Sequence, residues 1–141
     1  MEDEFIKNIL NNSKKQDKIS KLTSNEIKQE VERVVKEFYK PYLTFDKNKE
    51  NMKETIAKLE DYIYVKDISD IPNSYYIRYL DTKYFYDLTL RQGGFLINVN
   101  DNKLKLYTGK IYIKIDSSKI VLFMKLKKKD KMNILLNDLN K

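Results

Sequence analysis

Apolar residues recur at helical spacing in the first half of the chain and at every second position in the second half. Ile27, Val31, Val34, Val35 and Phe38 line one stripe of a helix predicted over about 24–40. Thr23-Ser24-Asn25-Glu26 has capping-box spacing at its start, and Pro41 stops it. A second helical period, Met52, Ile56, Leu59 and Ile63, predicts a helix over about 48–62 beyond the polar turn Asp46-Lys47-Asn48-Lys49. Two helices joined this closely pack antiparallel. Their stripes must be buried against each other, a β face or a second subunit, and Ile27, Val31, Val34 and Phe38 are the candidate partner interface. Residues 1–22 read as an arm with a short amphipathic stretch, Phe5, Ile6, Ile9 and Leu10, followed by a polar linker.

From Ile71 the period shortens to two. Tyr75–Leu80, Asp87–Val99, Lys103–Tyr107, Lys110–Asp116 and Lys119–Leu126 read as strands, with turn chemistry at 98–102, Thr108-Gly109 and Asp116-Ser117-Ser118. Five short strands in an open sheet would leave exposed edges, and closure into a small barrel of the SH3-like or OB type removes them. Short, consecutive strands favour the SH3-like form. Met132, Leu135, Leu136 and Leu139 predict a short C-terminal helix packed across one end. The expected fold is α+β: an arm (1–22), a helical hairpin (23–66), and a five-stranded antiparallel SH3-like barrel with a C-terminal helix (67–141).

Composition narrows the chemistry. The 141 residues include no His, no Cys and only 3 Gly. The usual general base near neutral pH, thiol nucleophiles, disulfides, structural zinc and a glycine-rich phosphate loop are all missing. Residues 1–70 carry 14 Lys+Arg against 15 Asp+Glu, while residues 71–141 carry 14 against 6, so the whole of the +7 net charge belongs to the second half. Such segregation points to a polyanion or an acidic protein surface as partner, although a lysine-rich proteome also scatters lysine over any solvated face. No apolar run approaches the roughly 18–20 residues needed to span a bilayer, and the acidic Met1-Glu2-Asp3-Glu4 start is the reverse of a signal peptide. A soluble intracellular protein without membrane association is expected. Lysines outnumber arginines 25 to 3, and the abundance of Asn, Ile and Tyr indicates A/T-rich coding.

The hairpin 103–115 is the most informative local feature. A two-residue Thr108-Gly109 turn sets Tyr107 against Lys110, Lys105 against Tyr112 and Lys103 against Lys114, a Lys/Tyr checkerboard, and sends Leu104, Leu106, Ile111 and Ile113 to the core. Rings interleaved with ammonium groups can stack bases while neutralising phosphates. Lys and Tyr are equally ordinary on the wet face of a half-exposed sheet. Lys125, Lys127, Lys128, Lys129 and Lys131 form a basic run that contacts phosphate or guards the apolar strand Ile120–Met124 against aggregation. Arg78 and Arg91 fall in predicted strands, where a guanidinium clamps phosphate or pairs with Asp81 or Asp87. The Gly93-Gly94 pair marks a bulge or bend. Acid-any-Lys triplets at Glu26-Ile27-Lys28, Asp81-Thr82-Lys83 and Asp101-Asn102-Lys103 arise by chance in so lysine-rich a chain. No catalytic residue, metal or cofactor is predicted.

The run Ile71-Pro72-Asn73-Ser74-Tyr75-Tyr76-Ile77-Arg78-Tyr79, then Arg91-Gln92-Gly93-Gly94-Phe95-Leu96 and a Lys/Tyr/Ile hairpin, resembles a small β-domain pattern in short proteins of nucleocytoplasmic large DNA viruses. It spans residues 71–126, with Asn73 where such sequences often carry Gly after the Pro. The resemblance implies a viral origin, in host cytoplasm or virion, and supplies no catalytic residue. Two functions are therefore expected. One is a non-enzymatic, non-specific nucleic-acid-binding module using Lys103, Lys105, Lys110, Lys114, Arg78, Arg91, Lys125, Lys127, Lys128 and Lys129 on backbone, with Tyr107 and Tyr112 stacking. The other is a structural or adaptor protein, such as a minor virion component, with a possible homo-oligomer through the helical hairpin.

Overall fold

The computed structural model describes residues 21–140 together with Ile6, Leu10, Lys15 and Ile19, which stand in helical backbone. The rest of the amphipathic stretch predicted at the amino terminus lies outside the described residues. Helix α1 (Ser24–Tyr39) starts where the capping signal placed it: Glu26 N–H donates to Thr23 Oγ1 at 3.3 Å, and that hydroxyl donates to the Glu26 carboxylate at 2.7 Å. A short 3₁₀ turn at Lys40–Tyr42 carries Pro41, and α2 follows at Asp46–Lys58.

Strand β1 (Tyr62–Val65) comes next, in a place where a helical stripe was expected to continue through Ile63. The run Tyr-Ile-Tyr-Val is aromatic and β-branched, and strand pairing with β6 outweighs one more helical turn. β2 (Tyr76–Leu80), β3 (Arg91–Asn100), β4 (Lys103–Tyr107), β5 (Tyr112–Asp116) and β6 (Val121–Lys125) complete an all-antiparallel sheet in the order β1-β6-β2-β3-β4-β5. Helix α3 (Lys128–Leu139) closes the chain.

Two expectations are corrected here. The sheet has six strands, not five, because the hairpin region donates β1. It is also open, since no pairing joins β1 to β5. The sheet is nonetheless strongly curled. β5 and β6 run in the same sense with β2, β3 and β4 between them, yet only residues 117–120 connect them. Five Cα steps reach at most about 18 Å, whereas four interstrand spacings across a flat sheet come to about 19 Å before any return along the strand.

The curl is built into β3. Gly93 lies in the bulge at which the β2–β3 register shifts, and a Cβ at Gly93 would meet the Ile77 carbonyl oxygen at 1.9 Å. The strands approach closely only because that atom is absent. A second shift lies between Leu96 and Asn98.

The curled sheet has a core on each face. Inside lie Ile77, Leu96, Leu104, Leu106, Leu122 and Met124, joined by Ile19, Ile27 of α1 and Ile134 of α3. Outside, over the β1-β6-β2 end, Val31, Val34, Val35 and Tyr39 of α1 pack on Tyr62, Leu80 and Phe123, with Leu88 and Leu90 from the β2–β3 loop. The proposed partner interface is thereby corrected: Ile27, Val31 and Val34 are buried within the chain, and Phe38 is half-buried against the outer cluster. The hairpin stripe is satisfied by its own sheet.

The C-terminal helix turns differently from expectation. It buries Ile134 and Asp130, and leaves Met132, Leu135, Leu136 and Leu139 exposed. Asp130 sets that rotation: buried, it accepts the Tyr75 hydroxyl at 2.6 Å and the Lys127 N–H at 2.9 Å. At the other end of α3, Asp138 takes the N–H and hydroxyl of Ser24 at 2.9 and 2.6 Å.

Candidate nucleic-acid interface

The β4–β5 hairpin turns through four residues rather than two. Gly109 takes φ +100°, and Thr108 Oγ1 accepts the Lys110 and Ile111 N–H groups and donates to the Ile111 carbonyl. Tyr107 therefore faces Tyr112, Lys105 faces Lys114 and Lys103 faces Asp116. This register differs from the expected one by two residues. A shift of two preserves the faces and changes the partners. Ile111, expected in the core, is 61% exposed at the turn.

The expected checkerboard is thus a set of rows. One row crosses four strands as Tyr76, Phe95, Tyr107 and Tyr112; the next holds Asn98, Lys105 and Lys114; a third holds Asn100, Lys103 and Asp116. Tyr76 and Phe95 meet edge to face at 5.1 Å between centroids, and Tyr107 and Tyr112 tilt together at 5.0 Å. The Lys105 ammonium sits 4.8 Å from the Tyr112 centroid. Tyr112 is 61% exposed and Phe95 47%, so both side chains reach solvent. The helical hairpin covers the β1-β6-β2 end and leaves this end bare.

Directly opposed lysines destabilise a sheet, and Lys105 and Lys114 are opposed. Ion pairs elsewhere join Lys131 to Asp61, Arg91 to Asp81 and Lys47 to Asp87, whereas among the described residues none involves Lys103, Lys105, Lys110 or Lys114. Asp116 is the carboxylate nearest in the rows. The Ser118 N–H and then its hydroxyl hold its carboxyl below the usual carboxylate range, with Lys119 and Lys103 adding to the effect.

The other cations are placed elsewhere. Arg78 donates from Nε to the Arg91 carbonyl at 3.3 Å and from Nη2 to the Leu90 carbonyl at 3.4 Å. Arg91 pairs with Asp81 at 3.4 Å and lies 5.0 Å from the Tyr84 centroid. Both arginines brace the β2–β3 loop. Lys125 is exposed on β6, with three strands between it and β5 in the sheet order. Lys127 donates to Ser74 Oγ at 3.1 Å and lies 4.4 Å from the Tyr75 ring, while Lys128 and Lys129 are exposed on the first turn of α3. The basic run is not gathered with the hairpin lysines.

Two aromatic features escaped the sequence reading. Phe95 belongs to the aromatic row, but the glycine pair before it breaks the alternation that would have revealed its face. The exposed trio Tyr84, Phe85 and Tyr86 lies on the β2–β3 loop, which buried Asn48 holds: its Nδ2 donates to the Tyr42 and Phe85 carbonyls, and its Oδ1 accepts the Leu88 N–H. Three adjacent aromatics between Lys83 and Asp87 were the available signal. A groove of about 770 Å³ between α1, the end of α2 and α3 has an apolar floor that includes Ile27, Val31 and Ile134, under a rim of mixed charge.

Among the described residues no group of three acidic, His or Cys side chains could hold a metal, and no helix is long and apolar enough to cross a membrane. Comparison with models of protein families, with curated proteins and with solved structures finds no match.

Proposed function

We propose that this protein binds single-stranded nucleic acid without sequence preference on the bare face of β3, β4 and β5. Unpaired bases stack on Phe95, Tyr107 and Tyr112, and Lys103, Lys105, Lys110 and Lys114 take the backbone. The observation that carries the reading is the opposed Lys105–Lys114 pair beside an open aromatic row. Lys105 rests on the Tyr112 ring, but no ion pair among the described residues offsets the opposition of the two ammonium groups, whereas a phosphate chain running across the strands satisfies both. Stacking needs a base whose face is free, so duplexes are disfavoured.

Fluorescence anisotropy with a labelled single-stranded oligonucleotide over a salt series tests this. Three or four phosphate contacts give a log–log salt slope of about −2 to −3, so raising salt from about 50 to 200 mM weakens binding roughly 20- to 50-fold. Binding that does not respond to salt, or that is equally tight to duplex, contradicts the reading.

A second reading, a protein-docking or adaptor role of the kind a minor virion component has, rests on a separate observation. Met132, Leu135, Leu136 and Leu139 are each more than half exposed on one helix. It predicts that a protein partner co-purifies through α3 and that changes to the hairpin lysines leave that partner bound.

A further inference from the structure

Strand β5 ends the sheet, and its outer edge is unpaired among the described residues. Which of its backbone groups face outward follows from the bonds at either end of the hairpin. The Thr108 N–H donates to the Ile111 carbonyl at 3.0 Å, and the Ser117 N–H to the Asn102 carbonyl at 2.7 Å. Hydrogen-bonded pairs alternate along an antiparallel ladder. The bonded pairs are therefore 108/111, 106/113, 104/115 and 102/117. Ile113 and Ile115 spend their N–H and carbonyl groups on β4, while Tyr112, Lys114 and Asp116 point theirs off the edge.

Edges of this kind are commonly blunted by bulges, proline or inward charges. β5 has no bulge, proline or inward-pointing charge; its edge devices are its length of five residues and the charges of Lys114 and Asp116, and its approach carries the exposed Ile111.

A second copy can pair with this edge antiparallel about a twofold axis, and side-chain chemistry selects where the axis falls. An axis at Lys114 sets that ammonium against its own copy. One at Tyr112 sets Lys110 against Lys114 twice. One at Ile115 runs the pairing off the strand into the 3₁₀ turn Ser117–Lys119. An axis at Ile113 opposes Tyr112 to Lys114, Lys110 to Asp116 and Ile111 to Ile115 of the second copy, each twice by symmetry. Every opposition is then complementary, and Tyr112 and Lys114, whose groups point outward, become the bonded pairs.

We infer that the protein forms a twofold dimer through antiparallel β5–β5 pairing centred on Ile113, which joins the two sheets edge to edge and makes the two Lys/Tyr faces continuous. The inference stands on the edge alone and is tested without nucleic acid.

Sedimentation of the unmodified protein from low micromolar to millimolar concentration is expected to show conversion from the 16.9 kDa chain to twice that mass. Because the chain has no cysteine, Ile113→Cys supplies a single thiol. Opposed residues at a non-bonded antiparallel pair lie about 4.5 Å apart at Cα, inside the disulfide range. Mild oxidation is expected to cross-link Ile113→Cys and to leave Ile115→Cys, whose opposite number is Ile111, largely without a cross-link. Lys110→Glu, which faces Asp116 twice, is expected to raise the dissociation constant about tenfold, and Lys110→Glu with Asp116→Lys to restore it. A monomeric mass over the whole concentration range, or cross-linking at 115 as ready as at 113, overturns the inference. Circular dichroism of each variant separates lost pairing from lost folding.

Discussion

Replacing Lys114 with glutamate is expected to stabilise the fold and weaken nucleic-acid binding at once. The carboxylate would stand opposite Lys105, turning a like-charge cross-strand pair into an attractive one. Repulsion removed and attraction gained are each worth about 0.2–1 kcal/mol, so a net gain of about 1 kcal/mol is reasonable on an exposed face. In a domain of this size that raises the melting temperature by about 3–5 °C. Binding moves the opposite way. At about 0.1 M salt one single-strand phosphate contact contributes about fivefold, so losing a contact and adding a repulsion lowers affinity about 20- to 30-fold. Thermal melting by circular dichroism and oligonucleotide anisotropy read the two effects, at protein concentrations low enough that self-association through β5 does not enter. A higher melting temperature with unchanged affinity would show the lysine row to be an ordinary solvated face. A lower melting temperature together with lower affinity would point to general damage and refute the account of the opposed pair.

Three further outcomes test the framework that presents this face. Asn48→Ala leaves the Leu88 N–H and two carbonyls without their partner, and is expected to lower the urea-unfolding free energy by about 2–4 kcal/mol while loosening the 84–86 loop in amide exchange. Gly93→Ala puts a methyl group where the Ile77 carbonyl oxygen stands, so a loss of at least about 2 kcal/mol, or failure to fold, is expected, whereas Gly109→Asn at the positive-φ turn should cost less than about 1 kcal/mol. Burial, and then the hydrogen bond to Asp130, push the Tyr75 phenol well above its ordinary range. The folded chain thus holds a proton that the unfolded chain releases near pH 10, so this contribution is intact below about pH 10 and is lost as pH climbs toward the folded value. Tyr75→Phe should make the alkaline fall in unfolding free energy shallower by up to about 1.4 kcal/mol per pH unit; an unchanged slope would mean the phenol is not shielded.

Local chemistry made much of the fold legible, and long-range pairing accounts for what was missed. Thr23 and Glu26 mark the start of α1 because a cap is a contact between near neighbours in sequence. Gly93 and Gly94 mark the bulge because close backbone approach excludes a side chain. Ile63 misled because its helical spacing from Leu59 competes with a strand partner, Met124, more than sixty residues away. The loop 81–90 read in part as strand because Leu88 and Leu90 alternate; they are buried, but against α1 and α2 rather than in a ladder.

Ile27, Val31 and Val34 show why an amphipathic stripe does not name its partner. The periodicity demands burial and is indifferent to what supplies it. In the candidate site, the face was readable from the period of two and the register was not, since it depended on how Thr108 and Gly109 shape the turn. The scattered fate of Lys125 to Lys131 follows from individual contacts with Ser74, Tyr75 and Asp61 that no run of lysines announces.

The most direct test of the central claim is a two-dimensional amide NMR titration of the isotope-labelled protein with a short single-stranded oligonucleotide at low salt. The account predicts saturable shifts concentrated on Phe95, Asn98, Lys103, Lys105, Tyr107, Tyr112 and Lys114, with α1 and α3 unmoved. Shifts centred on Met132–Leu139, or none anywhere on β3–β5, would contradict it.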